Sequence, residues 1–101
     1  MLNPAQSAPP KGGTFGTVQV ITLGTDTTLD SDGIVVVTGI TTGDYYITLA
    51  VNNFNIHRVV TPSAGLPHAP IFSASLRKGD IVSVYQKNGY TGGTAVFYPY
   101  A

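Results

Sequence analysis

The sequence contains no cysteine, no tryptophan and no glutamate among its 101 residues. Without cysteine the chain forms neither disulfides nor thiolate metal sites, and this composition is compatible with folding in a reducing cytoplasm. Helix-favouring residues are scarce, whereas Val, Ile, Thr and Tyr, which favour strands, are abundant. The length fits one domain, so we expect a single all-β unit.

Charge is equally scarce. Charged residues make up 10% of the chain, against about 25% in a typical soluble domain. The net charge is zero and only Arg77 and Lys78 form a basic pair, so nucleic acid is not an expected partner. No apolar run is long enough for a signal peptide or a membrane span, so we expect no membrane insertion. A monomer with so few charges tends to associate, which predicts a homo-oligomer.

The chain divides into two parts. Residues 1–13, MLNPAQSAPPKGG, are rich in Pro and Gly, which exclude a helix and favour an extended arm. In residues 14–101 short apolar runs alternate with turn residues, which predicts a compact β-sandwich or jelly roll of about seven to eight antiparallel strands. Seven strands are predicted, at residues 17–23, 34–38, 45–51, 55–61, 71–76, 80–86 and 94–98, with a turn at 25–28.

The residues that could carry chemistry do not form a catalytic or metal pattern. Asp30-Ser31-Asp32-Gly33 resembles the start of a calcium loop, but Thr41 stands where an EF-hand requires Glu. The alternative is a tight turn in which Asp side chains cap backbone amides and Gly33 takes a positive φ. His57 and His68 lack the flanking signature of a triad and a third zinc ligand. We therefore expect no enzyme activity, no cofactor and no resident metal.

Six tyrosines are many for this length. Exposed tyrosines anchor subunit interfaces, and they also stack on sugar rings. Both interpretations remain open at this point. The predicted oligomer interface consists of Tyr85, Phe97, Tyr98 and Tyr100. The candidate glycan contacts are Asn88 and Tyr90, with Asn53 as a further polar neighbour, and Tyr90 is expected to face solvent.

Three segments carry a family resemblance: SDGIVVV at residues 31–37, LRKGDIV at 76–82 and TAVFYPYA at 94–101. In this order they resemble the trimeric jelly-roll knobs of bacteriophage virions, which are similar in topology to complement and tumour-necrosis-factor globular heads. The resemblance spans about residues 16–101. It implies that the "DG" turn opens an inner strand, that "KGD" opens the penultimate strand, and that the last strand lies along a three-fold axis.

The resemblance implies a non-enzymatic structural protein of the virion, assembled in the host cytoplasm. The expected form is a homotrimeric knob that decorates the capsid, with the major capsid protein or another virion protein as its partner. The arm would dock through Leu2, Pro4, Pro9 and Pro10, since an extended arm can add to an exposed sheet edge. The sequence contains no fibre-like repeat, which favours decoration. The alternatives are the receptor-binding knob of a tail fibre, or a lectin-like module that binds a cell-surface glycan.

Overall fold

The computed structural model describes residues 16–62 and 68–100. The predicted arm, with Leu2, Pro4, Pro9 and Pro10, lies outside the described residues. The described chain forms strands and no helix, so no helix long and apolar enough to cross a membrane occurs in it. The eight strands are β1 (Gln19–Ile21), β2 (Asp26–Thr28), β3 (Gly33–Thr38), β4 (Tyr45–Val51), β5 (Phe54–Thr61), β6 (Ile71–Leu76), β7 (Ile81–Gln86) and β8 (Thr94–Pro99).

The strands form two antiparallel sheets. The first sheet has the order β1-β8-β3-β6 and the second has the order β2-β7-β4-β5. Pairing is nested: β1 pairs with β8, β2 with β7, β3 with β6, and β4 with β5. This is the arrangement of an antiparallel ribbon rolled into two layers, the strand order of a jelly roll. The predicted all-β sandwich is therefore confirmed.

One strand was missed by the sequence prediction. Residues 25–28 were predicted to be a turn, but Asp26–Thr28 forms β2 and pairs with β7. The turn comes earlier in the chain, where Gly24 adopts a φ of 85° and the Thr25 hydroxyl donates to the carbonyl of Thr22. In contrast, β4 and β6 begin and end at the predicted residues.

The inner faces of the two sheets enclose one apolar core. Strand alternation places the odd-numbered residues of β4 in this core, as the period-two pattern predicts. The buried core residues are Ile21, Leu29, Val35, Val37, Tyr45, Ile47, Leu49, Val51, Phe72, Leu76, Val82, Val84, Ala95 and Phe97.

Phe97 corrects the predicted interface. Its side chain is 2% exposed and lies in the core of the chain itself, so the prediction that it belongs to a subunit interface is wrong. On β8, Ala95 and Phe97 point inward, and alternation therefore turns Val96 and Tyr98 outward.

Gly33 is required for a different reason from the predicted one. Among the described glycines, Gly24, Gly79, Gly89 and Gly92 have a positive φ and Gly33 does not. Instead, Gly33 lies against β8: a Cβ added there would meet the carbonyl oxygen of Tyr98 and would lie 2.6 Å from Cζ of Phe97. The absence of a side chain at Gly33 leaves room for the Phe97 ring.

We predict that Gly33→Ala lowers the free energy of unfolding by about 1–3 kcal/mol, because the added methyl group overpacks the core against backbone atoms. Urea denaturation measures the change. Ser75→Ala, on the exposed side of edge strand β6, is the control and should change stability by less than about 0.5 kcal/mol. Equal stability of both variants would contradict the close packing of β3 on β8.

Candidate functional site

The outer face of the first sheet carries no charged residue. Its central position is Val36, which lies in register between Val96 on β8 and Ser73 on β6. Toward the edges, Val20 is 75% exposed and Ile71 is 67% exposed. We call this surface the uncharged face; its residues are Val20, Ile34, Val36, Thr38, Ile71, Ser73, Ser75, Thr94, Val96 and Tyr98.

The charged residues of the described chain lie elsewhere. Most are in loops at the two ends of the sandwich, and two lie on strands of the second sheet: Asp26 on β2 and Arg58 on β5. Three six-residue strands and the three-residue β1, about 4.8 Å apart, present roughly 350 Å². An uncharged surface of this size is large enough for an interaction site, and depletion of charge is typical of interface cores. The uncharged face therefore has the properties of an interaction surface.

The outer face of the second sheet is built differently. The Tyr85 hydroxyl donates to Oδ1 of Asn55, with 3.0 Å between the oxygens. Tyr85 lies on β7 and Asn55 on β5, with β4 between these strands. Because neighbouring strands are about 4.8 Å apart, the Tyr85 side chain must extend across β4. Beneath it, Thr48 is 0% and Ala50 is 8% exposed although both point away from the core.

A second aromatic contact adjoins the first. The guanidinium carbon of Arg58 lies 4.1 Å from the centroid of the Tyr46 ring, a cation–π contact worth about 0.5–1 kcal/mol at an exposed site. In register, Thr48 lies between Arg58 and Tyr85. We call the surface formed by Tyr46, Thr48, Asn55, Arg58 and Tyr85 the tyrosine–arginine face.

Thr48 lies at the centre of this face, and among the described residues its hydroxyl has no partner. Its Oγ1 is buried and forms no hydrogen bond among the described residues. Thr61 is similarly buried, but its hydroxyl donates to the carbonyl of Thr42 at 2.7 Å and accepts from the amide of Tyr45 at 3.2 Å. A buried polar group without a partner costs about 1–3 kcal/mol of desolvation. Thr48 is thus retained at an energetic cost to the fold.

We predict that Thr48→Val raises the free energy of unfolding by about 1 kcal/mol, because valine keeps the shape and removes the unpaired hydroxyl. Thr61→Val is the matched control and should lower it by about 1–3 kcal/mol, since it leaves the amide of Tyr45 without its acceptor. Chemical denaturation of both variants measures the difference. A destabilising Thr48→Val would show that this hydroxyl is paired in solution.

The structure separates the predicted interface tyrosines. Tyr98 lies on the uncharged face, and Tyr100 follows it, with its amide donating to the carbonyl of Asp32 at 2.9 Å. Tyr85 lies on the opposite side of the sandwich, on the tyrosine–arginine face. Tyr85 and Tyr98 therefore do not share one surface. Alternation alone gives the outward direction of both residues; their assignment to different sheets requires the strand pairing.

The predicted glycan contacts lie at two ends of the sandwich, and Tyr90 is less exposed than expected. Tyr90 is half-buried rather than solvent-facing, because its ring packs edge-on against Tyr45 with 5.4 Å between centroids and its hydroxyl donates to the carbonyl of Gly43. Burial raises the pKa of Tyr45, whose hydroxyl donates to Gln86 Oε1 at 2.8 Å. Asn88 is exposed after β7, whereas Asn53 lies in the turn between β4 and β5 at the other end of the sandwich.

The candidate chemical groups have local structural contacts. The His57 ring lies 4.1 Å from the Phe72 ring, between centroids. Asp32 Oδ1 accepts from the amide of Lys78 at 2.8 Å, so it caps the loop between β6 and β7 rather than its own turn. Within residues 16–62 and 68–100 no three His, Cys, Asp or Glu side chains form a group that could hold a metal ion, and no cavity opens.

Comparison with known proteins identifies no relative: no family model matches the sequence, and no curated protein or solved structure shows significant similarity to the chain.

Proposed function

We propose that the chain is a non-enzymatic structural protein that assembles into a homotrimeric knob through the uncharged face. The role proposed for the knob is decoration of a bacteriophage capsid, with the N-terminal arm as the docking segment. The observation that carries the assembly step is the uncharged face itself, which presents Val20, Val36, Val96 and Tyr98 beside small hydroxyl side chains.

A second copy of the same chain is the occupant that best fits this face. A partner with a charged surface would find no counter-charge there, because all nine charged residues of the described chain lie outside it. Closed symmetric assembly covers such a surface and leaves no free interface. The three-fold symmetry, the virion and the capsid partner come from the resemblance of the three sequence segments.

We predict that the purified chain has the mass of three copies in multi-angle light scattering, independent of concentration. Val36→Lys should reduce this to one copy, because a lysine at the centre of the face would be buried in the interface without a partner. Thr28→Lys, on exposed edge strand β2 of the other sheet, should leave the mass unchanged. A wild-type monomer would overturn the assembly proposal, and a stable dimer would overturn the trimer.

The docking role of the arm is tested separately. Deletion of residues 1–13 should leave the trimer mass and the thermal unfolding temperature unchanged but abolish co-sedimentation with capsids. Addition of the deleted chain to undecorated capsids, beside the full chain, is the direct measurement. Equal binding by both would contradict docking through the arm, while leaving the assembly proposal in place.

A further inference from the structure

We propose that the tyrosine–arginine face is a shallow carbohydrate-binding site. The ring of Tyr85 is the stacking platform, and Arg58, Asn55 and Thr48 supply hydrogen-bonding groups. This inference does not rest on the proposed function, because the face belongs to the second sheet, on the opposite side of the sandwich from the uncharged face, and it needs no second copy of the chain.

Tyr85 is held in a position suited to stacking. Its hydroxyl is fixed by Asn55 at 3.0 Å and its side chain lies across β4. Because the side chain crosses β4 and both Thr48 and Ala50 on that strand are buried, we infer that one side of the ring covers the strand and the other side faces outward. A ring that is already fixed loses little conformational freedom on binding. Aromatic faces of this kind pack against the C–H face of a sugar, while the hydroxyls at the edge of the sugar reach polar neighbours.

Two polar neighbours lie on β5, across β4 from Tyr85. Arg58 offers several N–H donors in a planar fork, and it is exposed on β5. Asn55 uses Oδ1 to accept from Tyr85, whereas its Nδ2 forms no hydrogen bond within the described chain. Donors beside an apolar ring surface match the alternation of C–H and O–H groups on a pyranose.

The buried hydroxyl of Thr48 is independent evidence for a ligand. It is 0% exposed and forms no hydrogen bond within the part of the chain that the structure describes, and buried polar groups are normally paired. The contact of Arg58 with Tyr46 is of the weak, exposed kind. Thr48 lies in register between Arg58 and Tyr85, so a ligand that draws the guanidinium away from Tyr46 would uncover this second ring and would reach the Thr48 hydroxyl from the β5 side of Tyr85. A hydrogen bond to the bound carbohydrate would then explain why the Thr48 hydroxyl is left without a partner in the described part of the free protein.

Other ligand classes fit the face less well. Arg58 is the one cation among its five residues, whereas phosphate and sulfate sites gather several Arg or Lys side chains. No cavity opens in the part of the chain that the structure describes, so a buried apolar ligand has no place there. A flat, hydroxyl-bearing ring is the chemistry that the exposed groups complement.

The test begins with the labelled full chain on an array that carries bacterial O-antigen and capsule repeats beside mammalian oligosaccharides. We expect binding to a subset of these sugars, strengthened by avidity if the chain is oligomeric. The best-binding oligosaccharide is then titrated by two-dimensional amide NMR. Shift changes should centre on Thr48, Arg58 and Tyr85. No binding on the array, or changes centred on Asn88 and Tyr90, would overturn the proposal.

Matched variants separate stacking from hydrogen bonding. Tyr85→Ala should weaken binding by about tenfold or more, whereas Tyr85→Phe keeps the ring and should stay within about threefold. Thr48→Val should weaken binding while the fold remains intact. Asn88→Ala, in the exposed turn after β7 and outside the five residues of the face, is the control and should bind like wild type. Undiminished binding by a folded Tyr85→Ala overturns the proposal; if that variant does not fold, the NMR map of the wild type decides.

Discussion

The packing of Phe97 against Gly33 is the contact on which the first sheet depends. β8 lies in the middle of that sheet, paired with β1 on one side and β3 on the other. The inward-facing ring of Phe97 on β8 occupies the space that a side chain at Gly33 would take. β3 and β8 can therefore approach each other this closely only with glycine at position 33. Because the first and last strands are paired, this sheet closes only after almost the whole chain is in place. Such long-range pairing gives a high contact order.

Once the core residues are fixed, the alternation of side chains along each strand determines which residues each sheet exposes on its outer face. The same backbone arrangement gives one outer face without charge and another with two tyrosines, an arginine and an asparagine. The difference is in side chains alone.

At one side of the sandwich, edge strand β5 leaves Phe54 and Val60 exposed at 73% and 62%. There the bulge opposite Leu49 and Ala50 and the charge of Arg58 limit further strand pairing.

The sequence predicts strands well where the period is clear and predicts sites poorly. β4 was identified to the residue because its odd positions are apolar and large. β2 was missed because three polar residues form a strand only through pairing with β7. Phe97 and Tyr90 were assigned to surfaces because an aromatic side chain fits a core and an interface equally well. The tyrosine–arginine face was not foreseen, since Tyr46, Asn55 and Tyr85 come from three strands whose order is set by the fold.

The low charge of the chain and the difference between its two outer faces are linked. A surface with few charges tends to associate through its exposed apolar part, and the uncharged face is the part that assembly would cover. In an assembly built through the first sheet, the second sheet lies on the outside of each subunit. A flat site with one arginine and two tyrosines binds weakly by itself. Repetition of that site around a symmetric assembly raises its effective affinity without any new contact. Assembly through one face would therefore strengthen binding at the shallow site on the other face, which each copy of the chain carries complete.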